Sequence, residues 1–410
     1  MKIIARSPRL FWRMWLSLSP TVALLAYSGL ATARDGNVFG LTLAETLQYD
    51  TNPMRVASET DNRRALNSDR RDDFISSTTA ALTASKQLGR HNLYGELSQT
   101  YVVFQEFTRL NYTSENSRVG WSGVYGAENN WDAYYRHTVT HSDFADLQLA
   151  LTNLVTSDTL GARLSQRIAT DWLFRPEVSQ NKDRNSADIK KGGDGTTRNV
   201  WLNLGYRPYT ANVLEAQYRL SEREYVYGGG YRQNELGAFG SWGGNTASAF
   251  ELRVALVEQR AKSGSASQGV GDFHQVVGHA NYRWRPTGAS TLNFRLFREI
   301  STINFGTDQD AVARGGTASW SWTPLAKVKF DTIFDYRKRE FPNTTVIDPG
   351  SPGSRITVHD RTHYVSLGAT YVPTQALTVQ ANARTETRHA DPSYLGYEDR
   401  VYSLTLQYAF

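Results

Sequence analysis

Arginine carries most of the recognisable chemistry in this sequence. Arg136, Arg163, Arg175, Arg219, Arg253, Arg283, Arg295, Arg337 and Arg384 each fall at a position that alternates with apolar neighbours. Glu96, Glu177, Glu215, Glu251, Asp331 and Asp335 fall on the same side of that alternation. A guanidinium offers a planar fork of donors that matches a carboxylate or a phosphate. A wall of such groups can guide a polar, anionic solute. It can equally pair with the carboxylates of adjacent strands and stiffen the structure that carries it. The sequence leaves both readings open.

Signals for catalysis are poor. The chain has no Cys, which excludes thiolate metal sites and disulfides. It has no Gly-x-Ser-x-Gly elbow and no phosphate-cradling glycine loop. His137 and His141, like His359 and His363, are spaced four apart. That spacing suits a metal on a helix, but along an extended strand it separates the rings by roughly 13 Å. Asp143, His141 and Asp146 fall together in a polar stretch that reads as a loop. No catalytic residue, cofactor or metal is therefore assigned, and the chain is not expected to be an enzyme.

The residues between the arginines define the elements that must hold them. From Phe39 onward the chain runs in about eighteen segments in which apolar and polar residues alternate, the pattern of a strand with one apolar and one wet face. The last is the clearest: Tyr402, Leu404, Leu406, Tyr408 and Phe410 alternate with Ser403, Thr405 and Gln407. The first, Phe39 to Tyr49, is interrupted by Glu45, and the second, Phe74 to Ala84, is the weakest. Short turns, such as Gly89 to His91, Pro208 to Ala211 and Pro373 to Ala376, alternate with longer polar stretches at Thr51 to Asp72, Asn181 to Thr197 and Phe341 to Asp360. That alternation predicts an all-β, antiparallel up-and-down transmembrane barrel of about eighteen strands, with short periplasmic turns and longer outer loops. Four strands close on an aromatic-x-Pro triplet, at Tyr206, Trp284, Trp322 and Tyr371, which reads as an interfacial aromatic girdle followed by a proline that ends the ladder. The polar side, with Arg136, Arg219, Arg253, Arg283, Arg295, Arg337, Arg384, Glu215, Glu251 and Asp335 as its best candidates, then lines the lumen.

Composition agrees. Hydrophobic residues are 40% of 410 and the mean hydropathy is −0.49, as expected when half of each strand faces water. Ten Trp and twenty-two Tyr supply interfacial rings. Residues 1–33 read as a cleavable leader: a basic start with Lys2, Arg6, Arg9 and Arg13, an apolar stretch, then Ala31-Thr32-Ala33. The barrel is then residues 34–410, exported to the bacterial outer membrane. Without the leader's four charges the formal charge of +5 falls to +1, which leaves no nucleic-acid footprint. The dense mixed charge of Thr51 to Asp73 reads as a solvated outer loop, with contact to lipopolysaccharide phosphates as the second reading.

Several stretches resemble the exopolysaccharide-biosynthesis outer-membrane barrels of the EpsL type. They are Leu47 to Pro53, Phe144-Ala145-Asp146 with Asn153 to Asp158, Tyr282 to Gly288 with the strand to Arg298, Trp320 to Pro324, and Phe334 to Arg339. The terminal Phe410 resembles the signature read by the barrel-assembly machinery. The resemblance implies a conduit or assembly component for a secreted polysaccharide, working with periplasmic export components. A general porin for small solutes and, further off, an outer-membrane enzyme are the alternatives.

Overall fold

The computed structural model describes residues 38–58, 68, 70–126, 129–144, 151–209, 212–243, 247–264, 270–304, 308–347, 355–391 and 393–410. The leader and Asp146 lie outside the described residues. The first nine strands are β1 (Phe39–Asp50), β2 (Asp73–Leu88), β3 (His91–Phe104), β4 (Tyr112–Tyr125), β5 (Asn129–His141), β6 (Leu154–Ala169), β7 (Trp172–Asn185), β8 (Gly195–Tyr209) and β9 (Asn212–Tyr225). Nine more follow: β10 (Gly230–Trp242), β11 (Ser248–Ala261), β12 (Phe273–Thr287), β13 (Ser290–Asn304), β14 (Asp308–Leu325), β15 (Val328–Ile347), β16 (Arg355–Tyr371), β17 (Leu377–Asp391) and β18 (Tyr397–Ala409). Each pairs antiparallel with its sequence neighbours, and β1 pairs with β18, so the 18-stranded sheet has no free edge. Hydrocarbon offers no hydrogen-bond partner to an open strand, so closure is what lets such a sheet cross a membrane. Among the described residues no helix is long and apolar enough to do so.

Registers across the seam show how the alternation is used. Leu47 faces Leu404, Tyr49 faces Tyr402, and the Phe410 N–H donates to the Leu41 carbonyl at 2.8 Å. Every residue of the predicted apolar rows therefore joins one continuous outer face. Leu160, Leu236, Leu256 and Leu296 are 61 to 68% exposed there, which in an outer-membrane barrel is exposure to lipid. Glu45 breaks this belt. It faces Leu406 on one side and Thr78 on the other, and its carboxylate accepts the hydroxyls of Ser76 (2.5 Å) and Thr78 (2.7 Å). Hydroxyls on the neighbouring strand thus take the place that water cannot fill.

One end of the barrel carries connections of two to five residues, and both termini of the sheet lie there. The aromatic-x-Pro triplets mark this end. The ladder shifts register after Tyr206, Trp284 and Trp322, and β16 stops at Tyr371, because proline has no N–H to donate. Trp320 stacks on Trp322 at 5.9 Å and Trp322 on Phe330 at 5.7 Å, part of the aromatic girdle. The other end differs in two places from what the sequence predicts. Phe341 to Asp360 is not simply a loop, since β15 and β16 remain paired out to Ile347 and Arg355. Asn181 to Thr197 shrinks to a short 3-10 turn between β7 and β8. Polar residues on both faces are read as loop by composition, yet a ladder that has already begun in the membrane continues through them.

Candidate functional site: the lumen and its outer mouth

Strand alternation carries the polar parity of every strand to the inner face, and interactions that skip a strand confirm it. Tyr94 on β3 donates to Asp132 on β5 at 2.7 Å, passing over Gly120 of β4. A Cβ at Gly120 would sit 2.3 Å from the Tyr94 ring, so only glycine lets the ring lie along the wall. Arg118 then stacks over Tyr94 (5.1 Å) and Tyr134 (4.9 Å), and Asp132 pairs with Arg118 at 3.5 Å and Arg163 at 3.1 Å. Further round, Arg175 of β7 reaches Glu215 of β9, and Arg223 reaches Asp183 at 3.0 Å. Arg253 pairs with Glu235 and donates to Gln217 at 3.0 Å. Arg219 lies over the Trp201 ring at 4.6 Å and donates to Asn199 at 3.2 Å. Only a concave surface brings side chains of next-but-one strands this close.

All ten predicted lumen residues lie on this face, but they do not form one cluster. Arg219, Arg253 and Glu215 belong to the paired network of β7 to β11. Across the lumen Arg295 pairs with Glu299 at 3.0 Å, Glu251 accepts from Asn281 at 3.2 Å, and Asp335 accepts from Thr317 at 2.6 Å. Arg283 lies on β12 between Ala249 and Asn293. Arg136, Arg337 and Arg384 have no carboxylate within ion-pair distance among the described residues. Glu96, Arg136 and Arg295 remain exposed inside the barrel, so water reaches the middle of the wall. Carboxylate pairing thus accounts for one subset of the arginines and not for the other. Among the described residues no group of three or more His, Asp or Glu could hold a metal.

The outer mouth is organised by residues that the sequence does not single out. The chain after β1 folds inward instead of out into solvent. Asn52 holds it: its Nδ2 donates to the carbonyls of Val56 (3.0 Å) and Glu398 (2.9 Å), and its Oδ1 accepts the Val56 N–H at 3.1 Å. Arg55, at φ +55°, is buried between Asp50 (3.4 Å) and Asp399 (3.0 Å). Met54 and Val56 pack on Ile75, Val102, Phe104, Phe107, Leu110 and Phe144. Asp73 caps the next segment, accepting the N–H groups of Gln105, Glu106 and Phe107 at 3.0 to 3.1 Å. Beside this, Asp360 receives Arg339 and Arg388, both at 2.8 Å, and all three are buried. The solvated reading of Thr51 to Asp73 is therefore wrong for residues 51–56 and for Asp73, because pairing across the chain lets the charges be buried. Residues 59–67 lie outside the described residues. Asp399, Arg388 and Asp360 all sit at polar-parity positions of their strands, a signal that was present; the inward course of Asn52 to Val56 had none.

No family model matches the sequence, and no curated protein matches it. Solved structures do match. OpdL of Pseudomonas aeruginosa shares 11% identity over 92% of this chain and 99% of its own, with a TM-score of 0.51. OccK1 (OpdK) of the same organism shares 12% over 91% and 98%, with a TM-score of 0.50. The outer membrane protein opdK, again from that organism, shares 10% over 91% and 99% at 0.50. At these identities the likeness is one of fold, and the fold is that of an outer-membrane barrel. The EpsL-type resemblance is corrected by these findings, and with it the reading as a polysaccharide conduit: the structural neighbours are Opd and OccK barrels, not exopolysaccharide proteins. The physical reason is visible in the motifs. Trp284-Arg285-Pro286 and Trp322-Thr323-Pro324 are girdle turns that barrel strands adopt in general, and Leu47 to Pro53 is a strand end with an inward fold. Such stretches report architecture and carry no cargo information.

Proposed function

We propose that this protein is an outer-membrane channel for small polar solutes, with a preference for small anions. The observation that carries the reading is a closed barrel whose wet inner face keeps Arg136, Arg337 and Arg384 without a carboxylate partner among the described residues. Cations on a low-dielectric wall focus their field into the lumen and raise the local anion concentration. The inward segment at Asn52 to Val56 narrows the outer opening, which favours small solutes over a polymer.

The test is reversal potential in a planar bilayer under a KCl gradient. Vanillate serves as an organic-anion probe, since one OpdK structure that shares this fold was solved with it. Anion selectivity is expected, and Arg337→Gln with Arg384→Gln is expected to lower the anion-to-cation permeability ratio by at least about twofold at low salt, the effect fading as ionic strength rises. A non-conducting or cation-selective protein overturns the proposal.

A further inference from the structure

The outer face carries a feature that conduction does not use. Between β11 and β15 a groove of about 800 Å³ opens toward lipid. Gly278 and Gly316 form its floor, and Leu252, Val276, Leu296 and Tyr336 its apolar sides. All six lie at outward parity, so the groove is on the lipid face and separate from the lumen. Neither glycine position has room for a side chain: a Cβ at Gly278 would come within 2.3 Å of the Arg253 carbonyl, and one at Gly316 within 3.0 Å of Leu296, so the wall stays low at both.

Four cations continue the lateral row that Gly278 begins, on the loop side of Leu252, Leu296, Gly316 and Tyr336. Arg298 faces Arg314, Arg314 faces Lys338, and Lys338 faces Arg361 across consecutive strands. Like charges directly opposite each other on a sheet repel. Glu340 answers Arg314 (2.9 Å) and Lys338 (2.8 Å), which among the described residues leaves the row with more cation than carboxylate. Arg298 donates to the Val276 carbonyl at 2.9 Å and to Gln275 at 2.5 Å, both neutral acceptors, and shares Glu340 with Arg314 and Lys338 as its nearby carboxylate. Such a row is stable next to an anion that can bridge several strands, and phosphate accepts from Arg and Lys in this way.

We propose that this groove and row bind a phosphorylated acylated glycolipid of the outer leaflet, lipopolysaccharide, with an acyl chain along Gly278 and Gly316 and a phosphate on Arg298, Arg314, Lys338 and Arg361. The row lies toward the longer connections, at the outer-leaflet end of the strands, and the groove runs from it into the apolar belt. Its charge and its depth therefore suit the two ends of one molecule. Glu340 acts as an internal competitor for the phosphate.

The full chain in detergent micelles is titrated with purified lipopolysaccharide, with the same material after dephosphorylation, and with phosphatidylglycerol. Binding and a raised thermal midpoint are expected with lipopolysaccharide alone. Arg298→Gln with Arg314→Gln and Lys338→Gln is expected to weaken binding by about tenfold or more. Ala280→Phe, which fills the groove, is expected to weaken it with the charges intact, and Glu340→Gln to tighten it. Equal binding of dephosphorylated material, which needs no variant, overturns the phosphate site. Equal binding of phosphatidylglycerol overturns the choice of glycolipid, and wild-type affinity in the triple variant overturns the row.

Discussion

At Arg55 one side chain ties the segment after β1 to both β1 and β18. A buried cation between Asp50 and Asp399 is tolerated because both partners are in place. Breaking such a pair by removing one member costs about 3–5 kcal/mol, since the remaining charges stay buried without compensation. Arg55→Met is therefore expected to loosen residues 51–56 while the distant ladder stays intact. Single-channel conductance of the refolded protein is expected to rise; a conductance equal to wild type would show that this segment does not restrict the path. The positive φ of Arg55 adds to the argument, because a side-chain-bearing residue keeps that conformation only where its surroundings hold it there. None of this was legible in the sequence, where Asp50, Arg55 and Asp399 are three charged residues in two distant stretches with nothing to say that they meet.

Among the strands, β18 gives the sharpest contrast. Leu404 lies at outward parity between Ala381 and Leu47, whereas Gln407 lies at inward parity between Thr378 and Ala44. A charge on the lipid side costs ~2–4 kcal/mol at the bilayer midplane, and a charge on the wet side costs little. Leu404→Arg is expected to lower the yield of heat-modifiable, folded barrel in a refolding assay, with Gln407→Arg near wild type. Equal yields would reverse the assignment of faces. Here the sequence was sufficient: period-two alternation fixes which side chains share a face once a strand is granted, and proline after an aromatic residue marked where the ladder shifts. It was insufficient at the outer ends of β7, β8, β15 and β16, where polar composition reads as loop but backbone pairing continues.

For the molecule as a whole, the strands are held by closure more than by any local core. A chain ending at Gly396 would lack β18 and leave β1 and β17 each with an open edge. It is expected to give no heat-modifiable species in lipid vesicles, because hydrocarbon cannot satisfy a strand edge. A folded species from that chain would mean that the seam is not where the barrel closes. The same closure explains why the arginines divide into paired and unpaired sets. Curvature brings β7 near β9 and β3 near β5 on the inside, so that Arg175 meets Glu215 and Tyr94 meets Asp132, while Arg136, Arg337 and Arg384 find no such partner among the described residues. By itself the sequence determined an approximate strand number, the two faces of each strand and the girdle end, because each follows from a period of two and from turn chemistry along the chain. Only the tertiary structure decided which charges neutralise each other, that residues 51–56 turn into the mouth, and that Arg298, Arg314, Lys338 and Arg361 stand side by side above an apolar groove. Those facts depend on inter-strand register and curvature, which place residues together that the chain keeps far apart.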